Sequence, residues 1–347
     1  MTGKTLRFAT LAAACALLAA CGGSGSSTRD QIRAVGSSTV FPFAKAVAAS
    51  LAQNNAEFKS PIIESTGTGA GMKLFCAGVG PQHPDIANAS RRMKKSEFED
   101  CQKNGVTDIV EIQVGLDGLA IATATSGTAL DLTVEDVYKA LAAKPFGKEQ
   151  TAKTWKDVNP ALPALPILVY GPPSTSGTRD SLKELVLVKG CESDPAMKAL
   201  KDTNKEQHDA FCTSVRSDGA YVDAGENDNL IVQKLEANPR AMGVFGFSYL
   251  EENADKLKGL KMNGVEPTYE TVSNFSYPGA RAMFIYVKAA HVNAIKGLKE
   301  FVAEWPKMWG RDGALAKLGM VVSPDDVQAA NAKVAADMTL MDASALK

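Results

Sequence analysis

The sequence predicts an α/β fold made of two domains, and three observations support this prediction. Short runs of β-branched residues alternate with amphipathic stretches along the chain, as strands and helices do in α/β proteins. No internal repeat at a fixed period is visible. Without its amino-terminal export segment the chain retains about 320 residues, enough for two domains of ~100–200 residues each.

Eight short runs have the composition of β-strands, because β-branched and aromatic residues fit a pleated, partly buried surface. The predicted strands are Ile32–Val35, Pro61–Glu64, Asp85–Ala89, Glu111–Val114, Leu119–Thr123, Ile167–Tyr170, Gly243–Phe247 and Ala282–Val287.

Helices are predicted where apolar residues recur three or four positions apart and so share one face. Thr133-Val134-Glu135-Asp136 has the form of a capping box and predicts a helix through Leu141. Ser323-Pro324-Asp325-Asp326 predicts the start of the last helix, with a cap, a first-turn proline and two favourable carboxylates. The other predicted helix faces are Phe43, Val47 and Leu51; Met72, Phe75 and Val79; and Leu182, Leu185 and Val186.

Two joints rich in glycine and proline, Gly115–Gly118 and Tyr277–Gly279, are the predicted crossings between domains. Lobe 1 is then discontinuous and comprises residues 31–115 plus 277–347, whereas lobe 2 comprises residues 116–276. This arrangement predicts a cleft between the two lobes.

The amino terminus predicts export. Lys4 and Arg7 precede the apolar stretch Phe8–Ala20, which is too short to span a bilayer, so residues 1–20 are a predicted signal peptide. The stretch ends in Leu18-Ala19-Ala20-Cys21, which resembles the bacterial lipobox, where the cysteine is acylated. We therefore expect a lipidated Cys21, a flexible tether over residues 21–30, and a protein anchored in the periplasm or cell envelope. The alternative is an ordinary cleaved signal peptide whose cysteine is incidental.

Four cysteines follow the export segment, and an even number in an exported protein suggests disulfides. Four cysteines allow three pairings, and free thiols remain an alternative. The favoured pairs each close a short local loop; they are Cys76–Cys101 and Cys191–Cys212.

The nearly balanced charge, −1 at pH 7, gives no electrostatic reason to expect a nucleic acid or an acidic membrane surface as partner. No run after the signal peptide is long enough to cross a membrane. A metal site is not expected, because no CxxC occurs and the histidines are few and scattered: His83, His208 and His291.

The most informative feature is a Gly/Ser/Thr cluster that follows a predicted strand and opens a predicted helix, three times. A helix amino terminus has unpaired N–H groups and a partial positive charge, so it binds anions without net charge. Glycine permits close backbone approach and hydroxyls add adaptable donors. A single cluster would be explained equally well as a cap or turn. The three loops are Gly36–Pro42, Ser65–Gly71 and Ser174–Asp180.

Nucleotide binding is not expected from the second loop. Gly67-Thr68-Gly69-Ala70-Gly71-Met72-Lys73 lacks the four-residue gap of a P-loop, and Leu74 stands where a Ser or Thr is needed.

These motifs, in this order, resemble the phosphate-binding proteins of bacterial phosphate ABC transporters, the PstS family. The resemblance covers essentially the whole mature chain and implies a type II periplasmic-binding-protein fold, whose two α/β lobes close on the anion. The motifs that carry it are Gly36-Ser37-Ser38-Thr39-Val40-Phe41-Pro42, Gly67-Thr68-Gly69-Ala70-Gly71, Asp85-Ile86-Ala87-Asn88-Ala89-Ser90-Arg91 and Ser176-Gly177-Thr178-Arg179-Asp180.

The resemblance also implies the ligand set. Ser38 is expected to donate its hydroxyl and Thr39 its backbone N–H, with contributions from Thr68 and Gly69 in the second loop. The third loop is expected to contribute Ser176, the N–H of Gly177 and the hydroxyl of Thr178.

The chain departs from the family pattern at two positions. Many members have an aspartate, which accepts a proton from phosphate, where Ser90 stands; a serine makes discrimination from sulfate less certain. Members also carry a binding arginine where Pro172 stands, and Arg179 is the natural replacement. Arg91 is either a second cation or a solvated neighbour.

Asp228 and Asn229 precede an apolar helical stretch. They are either a plain helix cap or part of the cleft rim, where a carboxylate could replace the acceptor that Ser90 lacks.

We expect a monomeric solute-binding protein, without cofactor, that captures inorganic phosphate by hinge closure and delivers it to an ABC permease with its ATPase. One alternative keeps the fold but binds sulfate, molybdate or another oxyanion. An exported phosphatase or hydrolase is disfavoured, because no GxSxG, HExxH or paired His/Asp motif occurs. A sensor or adhesion module without a transporter is a further alternative.

Overall fold

The computed structural model describes residues 29–174, 176–225 and 228–346. The predicted signal peptide, Cys21 and residues 22–28 of the tether lie outside the described residues. Within the described residues, the strands are β1 Arg33–Gly36, β2 Ile62–Ser65, β3 Ile86–Ala89, β4 Ile109–Ala124, β5 Asp131–Leu132, β6 Val169–Gly171, β7 Tyr221–Asp223, β8 Met242–Gly246, β9 Leu257–Gly259, β10 Lys261–Met262 and β11 Ala280–Lys288.

Helices follow most of the strands, as the alternating pattern predicts. A π-helical segment, Leu182–Leu187, joins two of them, and short 3₁₀ turns lie at Pro145–Gly147 and Ala316–Leu318. The α-helices are α1 Phe41–Asn54, α2 Thr68–Phe75, α3 Lys95–Lys103, α4 Val134–Leu141, α5 Trp155–Val158, α6 Gly177–Ser181, α7 Val188–Cys191, α8 Pro195–Thr203, α9 Lys205–Cys212, α10 Asp228–Ala237, α11 Phe247–Glu252, α12 Tyr269–Ser273, α13 Ala289–Val292, α14 Leu298–Met308 and α15 Asp325–Asp337.

One mixed sheet runs through the protein, with strand order β2-β1-β3-β11-β4-β8-β6-β7 and β9 paired to β4. Strands β1, β2 and β3 are parallel at one end, and β6, β7 and β8 are parallel at the other. The amino-terminal part of β4 pairs with β11, whereas its carboxyl-terminal part pairs with β8 and β9. The long strand β4 therefore joins the two ends of the sheet.

The buried apolar side chains that the structure describes form three clusters. The first contains residues between Leu116 and Tyr277, together with Val321. The second and third combine residues from 32–114 with residues from 283–335. We call the part around the first cluster lobe 2 and the part around the other two lobe 1. The chain has the predicted two-lobed α/β fold.

Several predicted elements differ from the structure. Glu111–Val114 and Leu119–Thr123 are not two strands but parts of β4, which stays extended through Gly115–Gly118. Met320 packs against Gly115, where a Cβ atom would lie 2.4 Å from its sulfur, so this glycine serves close packing and does not end the strand.

The helix ends also contain corrections. Phe247 does not end a strand but begins α11, and Val79 lies beyond α2 and is 39% exposed. Pro324, not Ser323, is the cap position of α15, and proline has no side-chain acceptor to cap the helix. The Ser323 hydroxyl instead accepts a hydrogen bond from Gln113 at 3.2 Å. The capping box at Thr133 and Asp136 is confirmed.

Both favoured disulfides are confirmed. Cys76 is bonded to Cys101, with Cα atoms 4.1 Å apart, and Cys191 is bonded to Cys212, with Cα atoms 5.3 Å apart. The first links α2 to α3 in lobe 1, and the second links α7 to α9 in lobe 2. Each disulfide therefore stabilises one lobe and crosses no cleft.

A buried polar cluster lies at the amino-terminal end of β3. The carboxylate of Asp85, which is fully buried, accepts hydrogen bonds from Arg29 at 2.5 Å, from the N–H of Arg33 at 2.8 Å and from His291 Nδ1 at 2.7 Å. His291 Nε2 accepts from the N–H of Gly80, so its Nδ1 carries the proton that it donates. The cluster fastens the start of the described chain to lobe 1.

Lys288, at the end of β11, lies beside this cluster and is 1% exposed. Its ammonium donates to the carbonyl of Gly78 at 2.6 Å and lies 4.9 Å from the ring centre of Phe75. Burial lowers the pKa of Lys288 to about 8, although the nearby Asp85 opposes this shift.

Among the residues with described positions, no helix is both long and apolar enough to cross a membrane.

We expect the stability of the wild type to rise relative to that of Lys288→Met between pH 8 and pH 10. In this window the folded chain has released the Lys288 proton, whereas the unfolded chain, with a pKa near 10.5, still holds it. Raising the pH therefore favours the folded state, by at most about 1.4 kcal/mol per pH unit. Chemical denaturation across this range measures the difference. The exposed Lys198→Met serves as control, and parallel pH curves for the wild type and Lys288→Met would contradict the prediction.

Candidate functional site

The first loop follows β1 and leads into α1. Ser37 is buried, and its hydroxyl accepts hydrogen bonds from the N–H groups of Thr39 at 3.2 Å and Val40 at 3.4 Å. This turn fixes the direction of Ser38 and Thr39 at the carboxyl end of β1. In this conformation the Thr39 N–H, a predicted phosphate donor, is bonded to Ser37.

The second loop lies beside the first, because β2 and β1 are parallel and end at the same sheet edge. The carbonyl of Gly36 accepts from the N–H groups of Thr66 and Gly67, both at 2.8 Å. A Cβ atom on Gly71 would lie 2.4 Å from the Cα of Gly36. Glycine at this position therefore lets α2 pack directly on β1.

Ser90 follows β3, the strand on the other side of β1, and is 2% exposed. Its hydroxyl lies 2.9 Å from that of Thr68, the first residue of α2, and its N–H donates to the same Thr68 oxygen at 3.1 Å. Three parallel strands of lobe 1 thus bring these predicted ligands to one edge, the usual place for ligands in such sheets. Gly69, next to Thr68, is exposed.

The third loop belongs to lobe 2 and follows β6. Ser176 is the cap of α6, and its hydroxyl accepts from the N–H of Thr178 at 3.1 Å. Helical backbone continues from Gly177 without interruption into the π-helical segment and α7. Thr175 of this loop lies outside the described residues.

The first and third loops touch across the cleft. The Thr39 hydroxyl donates to the carbonyl of Gly177 at 3.3 Å, and the Ser38 hydroxyl donates to the carboxylate of Asp180. A Cβ atom on Gly177 would lie 2.8 Å from the Cα of Thr39. The lobes are therefore closed at these loops, with a glycine at the point of nearest approach.

The two predicted cations, Arg91 and Arg179, have different partners. Arg91 makes a two-pronged ion pair with Glu97 of α3, at 2.9 and 2.7 Å. Burial alone would raise the pKa of Glu97, but the bonds from Arg91 and from the N–H of Lys94 together outweigh it and lower that pKa. The Arg91 guanidinium is therefore held by a carboxylate of its own lobe, lobe 1.

Arg179 donates to the carbonyl of Pro172 at 3.0 Å and lies 4.3 Å from the ring centre of Tyr221. Burial raises the pKa of Tyr221 to about 12, with Arg179 opposing the shift, so the hydroxyl keeps its proton and donates to Pro172 at 2.8 Å. The two side chains thus share one carbonyl at the end of β6.

Of the predicted rim residues, Asn229 is exposed near the start of α10. The side chain of Asp228 lies outside what the structure describes.

Sequence reasoning missed Asp180 and Arg281 as site residues. Asp180 stands in the third motif, but no local pattern indicates that its carboxylate reaches Ser38. It also pairs with Lys183 at 2.5 Å. Arg281 is 7% exposed and contacts Thr39, 242 positions away. Its position just after the joint Tyr277–Gly279 was the only available signal.

Comparisons with known proteins identify the family of the chain. A sequence profile described as "PBP superfamily domain" matches residues 23–305. "Protein SphX" of Synechococcus elongatus is 37% identical over 270 residues, covering 76% of this chain and 69% of the relative. "Phosphate-binding protein PstS" of Staphylococcus haemolyticus is 30% identical over 332 residues, covering 91% of each.

Solved structures give the same result. A "possible phosphate binding protein" from Planctomyces limnophilus superposes with a TM-score of 0.72 at 30% identity, covering 88% of this chain and 98% of the other. An ABC-type phosphate transport receptor from Vibrio cholerae has a TM-score of 0.56 at 21% identity, covering 85% of this chain and all of the other, and supports the fold alone. The chain belongs to the PstS family of phosphate-binding proteins in the periplasmic-binding-protein superfamily.

Proposed function

We propose that this protein captures inorganic phosphate between its lobes and delivers it to an ABC-type importer. The observation that carries the proposal is the contact of Thr39 and Gly177, which brings a loop from each lobe to one point. The name of the Staphylococcus haemolyticus relative, a phosphate-binding protein, supports phosphate as the ligand.

The helix amino termini supply the attraction for the anion. The loops lead into α1, α2 and α6, and the first-turn N–H groups of a helix favour negative charge. Hydroxyls of Ser38, Thr68 and Thr178 add donors that can rotate toward ligand oxygens. The proposed ligand set also includes Thr39, Gly69, Ser90, Ser176 and Gly177, with Arg91 and Arg179 as nearby cations.

We infer that Asp180 provides the carboxylate that Ser90 lacks. The Asp180 carboxylate accepts a hydrogen bond from Ser38, a proposed ligand, and so lies next to the proposed anion site. A carboxylate repels a fully ionised anion such as sulfate, but it accepts a hydrogen bond from phosphate, which keeps a proton at neutral pH. Asp180 would therefore favour phosphate over sulfate.

Closure would occur about the crossings of β4 and β11. The division of the apolar clusters supports, in outline, the predicted lobe 1 of residues 31–115 plus 277–347 and lobe 2 of residues 116–276. Tyr277 and Ala280 pack with the lobe 2 cluster, whereas Met283 belongs to a lobe 1 cluster. We therefore propose that β11 crosses between the lobes near Met283, where its register with β4 shifts. The closed form would bind phosphate better than the open form and dock on the permease, whose ATPase drives release.

We also propose that Cys21 is lipidated and holds a monomeric protein in the periplasm or cell envelope. Binding without catalysis is inferred, because the Ser176 hydroxyl accepts a backbone hydrogen bond and has no described base beside it. His208 and His291, two potential bases, pair with Glu192 and Asp85 elsewhere.

Gly177→Ala should weaken phosphate binding at least about tenfold, equivalent to ~1.4 kcal/mol. Its Cβ would meet the Thr39 backbone across the cleft and hold the lobes apart. Gly310→Ala is the matched control, because Gly310 lies outside the proposed ligand set and its Cβ would have no atom within 4 Å; we expect its affinity to stay within about threefold. Titration calorimetry measures both. Equal affinities of Gly177→Ala and the wild type would refute the proposed site.

Asp180→Asn should lower the preference for phosphate over sulfate at least about tenfold, because the amide keeps a polar partner for Ser38 without repelling sulfate. Competition calorimetry at pH 7–8 measures the ratio of the two affinities. The exposed Asp255→Asn controls for net charge. If both affinities change by the same factor, Asp180 acts only as a general charge and does not determine selectivity.

A further inference from the structure

Arg281 is the second residue of β11 and lies directly opposite Asp117 of β4. These two strands are the ones by which the chain crosses between the lobes. The guanidinium is 7% exposed, and its Nε donates to Asp117 at 2.9 Å. Arg281 is therefore a buried cation at the hinge.

From this position the guanidinium reaches both lobes. On the lobe 2 side it donates to the hydroxyl of Ser181 at 2.6 Å and to the carboxylate of Glu184. On the lobe 1 side it donates to the Thr39 hydroxyl at 2.8 Å. Ser181 in turn donates to Asp117 at 2.7 Å. We call Arg281, Asp117, Ser181, Glu184 and Thr39 the Arg281 network.

The network leaves Arg281 little capacity to bind an anion itself. Its bonds use four of the five N–H donors of a guanidinium. Two carboxylates, Asp117 and Glu184, already neutralise its charge. Its bond to Thr39 is different from the others, because Thr39 belongs to the loop that contacts Gly177 across the cleft. Ala280, the neighbour of Arg281 in β11, packs against the lobe 2 cluster, so this end of β11 is expected to move with lobe 2. Moving the lobes apart would then break the bond to Thr39 and leave those to Asp117, Ser181 and Glu184 intact.

We propose that Arg281 is a positioning residue that stabilises the closed state by holding the Thr39 hydroxyl against lobe 2. This inference rests on the proposed capture of phosphate by closure. Arg281 does not contact the ligand but acts through Thr39. Its loss should speed phosphate release much more than it slows phosphate capture, because capture begins in the open form.

The test compares Arg281→Lys, Thr39→Val and the double variant. Lysine keeps the charge beside Asp117 but not the planar fork, and valine removes only the bonded hydroxyl. We expect each single variant to raise the phosphate dissociation rate about tenfold in stopped-flow measurements, with the association rate nearly unchanged. The double variant should resemble Arg281→Lys, because the bond between Arg281 and Thr39, which carries the proposed effect, is already lost in each single variant. If the double variant raises the dissociation rate nearly a hundredfold, Arg281 and Thr39 act independently and the proposal is wrong.

Two matched controls come from lobe 2. Arg216 is 6% exposed and bonds to Asp218 and to carbonyls within that lobe. Thr123 is 2% exposed and donates to the carbonyl of Ala241. Arg216→Lys and Thr123→Val should leave both rate constants unchanged; if either raises the dissociation rate as much, the effect is general destabilisation and the proposal fails.

Small-angle scattering of the phosphate-free protein separates this inference from the proposed function. The network predicts a larger radius of gyration for Arg281→Lys than for the wild type and Arg216→Lys. That difference is expected even if calorimetry finds no phosphate binding by the wild type, a result that would refute the proposed function alone. If Arg281→Lys has the same radius of gyration and the same phosphate dissociation rate as the wild type, the proposed role of Arg281 is wrong.

Discussion

The arrangement of the protein depends on one continuous strand. β4 extends over 16 residues, pairing with β11 in lobe 1 and with β8 and β9 in lobe 2. This strand is paired on both sides of the crossing, with a register shift opposite Met283 and Phe284, so complete separation of the lobes would break sheet pairing. The proposed closure would therefore be a bending or twisting of this strand near Gly115–Gly118. Such a motion would keep the loops from the two lobes opposite each other.

The site combines near-neutrality with many oriented dipoles. Its charged groups are largely paired with one another, as Arg91 is with Glu97 and Arg281 with Asp117. In the proposed site the remaining attraction for an anion would come from helix amino termini, hydroxyls and Arg179, whose described partners are a carbonyl and an aromatic ring. Such a site is expected to be less sensitive to salt than one built from exposed lysines.

Local patterns in the sequence were sufficient for much of the fold. The capping box at Thr133 and the strand-to-helix loops each lie within about seven consecutive residues, so they can be predicted from a short stretch of sequence. The continuity of β4 was missed because glycine usually weakens a strand, whereas here Met320, far along the chain, packs on Gly115. The short strands β5, β7, β9 and β10 carry too few residues to show a period.

The same reason explains what was missed in the site. Ser38 and Asp180 are 142 positions apart, and Thr39 and Arg281 are 242 positions apart. Contacts over such separations depend on how the lobes meet, which no local pattern encodes. The positions of Arg91 and Arg179 likewise depend on Glu97 and Tyr221, side chains that propensity does not connect to them.

The bonds from Arg29 to Asp85 and to the carbonyl of His83 have a mechanical consequence. They fasten the chain to lobe 1 at the amino-terminal end of β3, about 13 Å along a four-residue strand from the end that carries Ser90. A pull on the amino terminus would be transmitted into lobe 1 and not across the cleft. In a surface-tethered molecule lobe 1 would then be the stationary half, and lobe 2 the half that swings.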